Sequence, residues 1–311
     1  VRRRVIVAAL VALLAALIIP QSAQAAGTDS VQAIATTSAN AAGGHAAVST
    51  ATTAKDAPEF RPGLIISDDS FFNDLSMSAR QIQHFFDSTP CVPQADAPCL
   101  ADFRQTTTTQ PNQFDHCTVY RGARDESASR IIAKVAAACG ISPRVLVVLL
   151  QKEQSLVTRP SAYGYQRATG YACPDTAACD TEYFGFFNQV YNAAWQFREY
   201  GASSDWRYHV GRVAVQYSPN ASCGSRVVDI RNQATADLYN YTPYQPDDAT
   251  LADPKAAPGA CSTYGNLNFW RIYSSWFGDP TAERLPDWWG DCLTFAGGGR
   301  CPVDLTQVAL P

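Results

Sequence analysis

A chain of 311 residues with a formal net charge of −4 and 17% charged side chains has no electrostatic footprint for nucleic acid or for an anionic lipid surface. With 46% hydrophobic residues it is rich enough to bury one sizeable core. It contains no H-E-x-x-H, no G-x-S-x-G and no G-x-x-x-x-G-K, so zinc-protease, serine-hydrolase and phosphate-loop chemistries have no support.

Arg2, Arg3 and Arg4 precede an apolar run over 5–19, followed by Pro20 and Ala23-Gln24-Ala25. This reads as a signal peptide over 1–25 with an A-x-A cleavage site, and the run is shorter than the ~20 residues a spanning helix needs. Residues 26–59 are rich in Ala, Thr, Ser and Gly and lack aromatics, which predicts a disordered linker. Phe60 opens a domain expected over 60–278, and 279–311 is expected to be a stapled tail carrying Trp288 and Trp289.

Within the domain, the pattern around Met77, Ile82, Phe85 and Phe86 predicts a helix over 78–86. Ser127 is placed to cap a helix running to Cys139, with Gly140 as its stop. Ser142 as N-cap and Pro143 at the first helical position open a helix whose residues 145–150 are apolar all round, the mark of a buried helix. It is expected to run through Ser155 and end before Pro160. Further helices are predicted from 187 or 188 to Tyr200, stopped by Gly201, then over 232–239 and over 268–277. One short strand is expected over 226–230. The class is therefore mainly α, a single helical domain with long stapled loops and at most a small β element.

The ten cysteines are even in number and include no C-x-x-C, which fits disulfides in an oxidising compartment rather than a zinc or redox motif. Spacing does not decide connectivity. The simplest arrangement pairs neighbours: Cys91 with Cys99, Cys117 with Cys139, Cys173 with Cys179, Cys223 with Cys261 and Cys292 with Cys301.

Glu153 is the leading catalytic candidate. It follows Leu146, Leu149 and Leu150 by seven, four and three residues, so helical geometry sets it on their face. An acid at the edge of an apolar core, in the last turns of its helix, is expected to hold its proton to higher pH. That is what protonation of a leaving sugar oxygen requires. The alternatives at this stage are an ion pair with a buried arginine, or escape to solvent.

The segment 141–157, with Leu149-Leu150-Gln151-Lys152-Glu153-Gln154-Ser155, resembles the catalytic helix of lytic transglycosylases and related lysozyme-like enzymes, where Glu is followed closely by Ser. Here Gln154 stands between the two. Gly185-Phe186-Phe187-Asn188-Gln189 is similar to that family's Gly-Leu-Met-Gln motif, with one extra residue before the Gln. Leu238-Tyr239-Asn240-Tyr241-Thr242 resembles its Ala-Tyr-Asn-Ala-Gly segment, without the last Gly. The three occur in the family's order and cover about 127–277, in the manner of secreted actinobacterial-type wall proteins. The resemblance implies a lysozyme-like α+β fold, Glu153 as general acid/base, and Ser155, Phe187, Gln189, Tyr239, Asn240 and Tyr241 along the sugar cleft. It also implies a wall-associated extracellular protein acting on peptidoglycan glycan strands as a lytic transglycosylase.

A hydrolase on the same fold, a glucosaminidase or muramidase, would need a second acid about 5–9.5 Å from Glu153. Asp175 and Glu182 are the candidates, in or beside the Cys173–Cys179 loop. The alternative of another class is a domain that binds wall glycan without cutting it. No metal or organic cofactor is implied, and a monomer is expected.

Overall fold

The computed structural model describes residues 59–95, 97–174, 177–253 and 259–283. The expected signal peptide, nearly all of the linker, Asp175, and Trp288, Trp289, Cys292 and Cys301 lie outside these residues.

The chain is mainly helical with two small antiparallel sheets. A short α1 (Asp68–Phe71) leads to α2 (Ala79–Ser88), which Ser78 and Gln81 open with a reciprocal capping box. The two-residue strands β1 (Arg104–Gln105) and β2 (Glu126–Ser127) pair just before α3 (Ala128–Cys139). As predicted, the Ser127 side chain caps α3 at the Arg130 N–H, and Gly140, at φ +67°, ends it. Next come α4 (Pro143–Gln154), a short α5 (Ala162–Gln166) and the long α6 (Phe186–Ala202). Strands β3 (Gly211–Gln216) and β4 (Ser225–Ile230) form a hairpin, followed by α7 (Gln233–Tyr241), α8 (Asp248–Ala252) and α9 (Gly265–Phe277).

Several expectations are corrected in detail. Ser142 stands at the N-cap of α4 but makes no capping bond; its hydroxyl bonds that of Ser76 at 2.8 Å, so only Pro143 starts the helix locally. Helix α4 stops one residue earlier than expected, because Ser155 adopts a left-handed conformation, φ +53°, and its N–H reaches the carbonyls of Gln151 and Leu150. Gly201 does not stop α6. It lies inside the last turn, which the Ser203 N–H closes onto the Glu199 carbonyl. The partner strand β3 was not anticipated, although Val213 and Val215 alternate with polar or small neighbours as a half-buried strand should.

Residues 145–150 of α4 are all buried, as a helix apolar all round requires, with α3 and α9 packed against it and α6 against α3. The described ends of the domain are tied together across it. Ile65 N–H bonds Thr235 Oγ1 at 3.1 Å, and Ser67 N–H bonds the Pro280 carbonyl at 3.0 Å. Disulfides join Cys91 to Cys99, Cys117 to Cys139, Cys173 to Cys179 and Cys223 to Cys261, the neighbour pairing expected for these eight. Four such bonds fit an oxidising environment. No helix among the described residues is long and apolar enough to cross a membrane.

Two carboxyls, one buried and one half-buried, sit where α1, α6 and α7 meet. Asp237 is fully buried and accepts a 2.7 Å bond from Gln233 Nε2, with the buried Arg198 nearby in charge. Asp68 accepts from the Ala234 N–H at 2.8 Å, in the first turn of α7. Burial raises the pKa of Asp237 well above the ordinary range and that of Asp68 to about 6, the latter against opposing bonds from the Ala234 and Gln233 backbone.

Candidate active site

Leu146, Leu149 and Leu150 anchor one face of α4 in the core, and Glu153 continues that face into the open. Its side chain keeps 24% exposure. The surroundings differ from the apolar ones expected. Lys152 Nζ lies 2.5 Å from Glu153 Oε1 and 2.7 Å from Thr242 Oγ1, and the lysine side chain is only 7% exposed. The partner of the acid is thus a lysine from its own helix, neither a buried arginine nor solvent alone.

Glu153 lines a cavity of about 480 Å³ together with Lys152, Gln154, Tyr241, Tyr244 and Asn268. A second cavity of about 570 Å³, lined among others by Tyr171, Gln196, Tyr200 and Asn240, shares Gly170, Cys173, Tyr241, Pro243 and Tyr244 with the first. The two cavities thus adjoin along these residues, with tyrosines lining both. Gly170, at φ +74°, forms the wall facing the acid, and a Cβ there would lie 3.5 Å from Glu153 Oε2. Tyr241 divides the two cavities. Its hydroxyl donates to the Thr169 carbonyl at 2.7 Å and is held far above the usual tyrosine pKa, first by burial and then by the Glu153 charge.

The structure brings only some of the other expected residues to this cleft. Asn240 lines the second cavity, although its amide is committed to both backbone groups of Tyr208. Gln189, expected along the sugar cleft, is fully buried instead. Its Oε1 accepts from the N–H groups of Thr169 and Tyr171, and its Nε2 donates to the carbonyls of Tyr171 and Tyr183. It shapes the loop that presents Gly170 and Tyr171. Phe187 is a core residue packed on Tyr120, with ring centroids 4.7 Å apart, and Tyr239 is buried with its hydroxyl on the Pro62 carbonyl at 3.0 Å. Ser155 is exposed at the end of α4 and lines neither cavity.

Glu182 sits exposed in a 3-10 turn over Thr181–Tyr183, capped by Asp180, and also lines neither cavity. Asp175 lies outside the described residues. Among the described residues lining the cleft, Glu153 is the one carboxylate, and no group of His, Cys, Asp and Glu is arranged to hold a metal ion.

Lys152, Thr242, Gly170 and Tyr200 were not singled out from sequence. Adjacent helix residues do not face each other, so the Lys152–Glu153 pair depends on the long lysine stem folding back to a residue ninety positions away. Gly170 had a weak signal, as a glycine beside a tyrosine three residues before Cys173. Set against models of known families, curated proteins and solved structures, the chain matches none. Fold and site thus define a class by their own geometry: a mainly helical, disulfide-stapled domain with, among the described residues, one acid at the wall of a tyrosine-lined cleft.

Proposed function

We propose that this protein is an exported enzyme that cleaves the glycan strands of peptidoglycan, with Glu153 as general acid and then general base. The observation that carries the reading is the carboxyl of Glu153, the one carboxylate among the described lining residues, on the wall of adjoining cavities that also present tyrosine rings, amides and hydroxyls. Rings with polar tips suit sugar faces and sugar hydroxyls together. The sequence resemblance to lytic transglycosylases supports the same acid and a wall-associated protein, and the disulfides support an oxidising, extracellular setting.

One carboxylate is enough for the transglycosylase reaction. Glu153 gives its proton to the glycosidic oxygen as the bond to the anomeric carbon breaks. The carboxylate then takes the proton of the sugar's own hydroxyl, which closes on the anomeric carbon as an anhydro ring. No water is consumed, and Glu153 ends protonated as it began. A two-carboxylate hydrolase requires a second acid within about 9.5 Å; among the described residues no other carboxylate lines these cavities, and Asp175 lies outside the described residues.

The test is digestion of purified peptidoglycan by the full chain and by Glu153→Gln, with soluble products read by mass spectrometry. Anhydro-ended products from the unmodified chain alone support the reading. Reducing-end products replace it with a hydrolase. Release by neither, with glycan binding intact, replaces it with a binding protein.

A further inference from the structure

We propose that Lys152 is a positioning residue that occupies one oxygen of Glu153 and thereby leaves the other to the substrate; this rests on the glycan-cleaving reading above. Successive side chains on a helix point roughly 100° apart, so the 2.5 Å approach of Lys152 Nζ to Glu153 Oε1 needs a second anchor. Thr242, the residue that ends α7, supplies it at 2.7 Å. Gly265, at the start of α9, makes the anchor possible. A Cβ there would overlap Thr242 Cγ2 and come within 3.8 Å of Lys152 Cε. Burying an ammonium is costly unless it is paired and hydrogen-bonded, and a lysine one turn from the end of a helix could otherwise reach water. Three elements instead converge to keep this one 7% exposed on the acid.

The clamp makes the two carboxyl oxygens unequal. Oε1 faces the ammonium. Oε2 lies on the Gly170 side, where the glycine leaves its wall open toward the cavity. The proton passed to the glycosidic oxygen therefore rides on Oε2, and Oε2 takes the proton of the attacking hydroxyl. Lys152 keeps all its protons throughout. The other titratable side chains lining this cavity, among the described residues, are Tyr241 from α7, with its hydroxyl on Thr169, and Tyr244 from the loop after it; α9 contributes the uncharged Asn268.

Lys152→Met, Lys152→Arg and Thr242→Val in the full chain test the assignment. Three readouts are needed: kcat and KM on peptidoglycan, the pH profile of kcat, and carbon NMR titration of the Glu153 carboxyl, assigned by its disappearance in Glu153→Gln. For Lys152→Met we expect kcat to fall about 100-fold with KM within about twofold. Both the alkaline limb of the profile and the carboxyl titration should move to higher pH, since a neighbouring cation has been removed. Lys152→Arg should restore most of the pH position, and Thr242→Val should lower kcat about tenfold through the lost anchor.

A loss in Lys152→Met that follows its melting temperature, with both pH readouts unmoved, would overturn the proposal in favour of a structural lysine. A raised KM at unchanged kcat would make Lys152 a substrate contact instead. If the unmodified chain cleaves no glycan, the function reading falls but the carboxyl titration still decides. Movement on removing Lys152 upholds the clamp, and no movement removes it.

Discussion

Lys152 and Glu153 are neighbours in sequence, yet the lysine is the more buried partner of their 2.5 Å ion pair, 7% exposed against 24%. Both side chains line the cavity, and the acid is the end of the pair more open to it. Glu153→Gln preserves shape and the contact to Lys152 but cannot donate or accept the catalytic proton. We expect about a thousandfold loss of glycan cleavage, far more than is explained by the drop in melting temperature that follows when the buried Lys152 ammonium loses its counter-charge. Activity assays beside thermal melts check this, and retention of more than a tenth of the activity would remove Glu153 from the acid/base role.

Gly170 carries two constraints at one position. At φ +74° a side chain costs about 1 kcal/mol, and its Cβ would lie 3.5 Å from Glu153 Oε2, filling space that the substrate is expected to use. Gly170→Ala should lower stability by about 1 kcal/mol and lower activity by more than that loss explains. Gly170→Val should be worse on both counts. Urea melts and product release measure the two separately; full activity in Gly170→Val would show that no ligand passes this wall.

Gln189 is a test of burial against resemblance. Gln189→Leu leaves the N–H groups of Thr169 and Tyr171 and the carbonyls of Tyr171 and Tyr183 without their partner. Even with partial relaxation this should cost about 3 kcal/mol. Denaturant unfolding reads it directly. A variant of unchanged stability but raised KM would restore Gln189 to the sugar cleft.

Stability should fall as pH rises from mildly acid to neutral. A buried carboxyl whose folded pKa is raised favours the fold in its protonated form. That contribution is complete below the ordinary value near 3.8 and is lost as pH climbs through the folded value, about 6 for Asp68 and well above the ordinary value for Asp237. Asp68 accounts for about 2 kcal/mol of this loss between pH 4 and 7, after allowance for its partial exposure. Asp68→Asn should flatten the melting temperature in that interval, and Asp237→Asn should also weaken the fall of stability with rising pH. Superimposable pH profiles for parent and both variants would show that these carboxyls are not linked to folding.

Local chemistry was legible in the residues wherever a neighbour in sequence is also the physical partner. Ser127 and Gly140 bound α3, Pro143 opens α4, the run 145–150 is buried on every side, and Cys91–Cys99 and Cys173–Cys179 close short loops, because caps, helical periodicity and short loops act over a few residues. The position of Glu153 at the mouth of the core followed from the same periodicity. What lies around its carboxyl was decided by tertiary structure. The lysine clamp needs Thr242 from α7 and the space left by Gly265 of α9, and the cleft needs the loop that Gln189 holds from inside α6. Motif likeness set Phe187, Gln189 and Tyr239 along a cleft, but packing turned them inward and brought Lys152, Gly170 and Tyr200 to it instead. Which face of a helix meets solvent depends on the elements packed against it, and that information is spread over residues 60–282 rather than carried by any one motif.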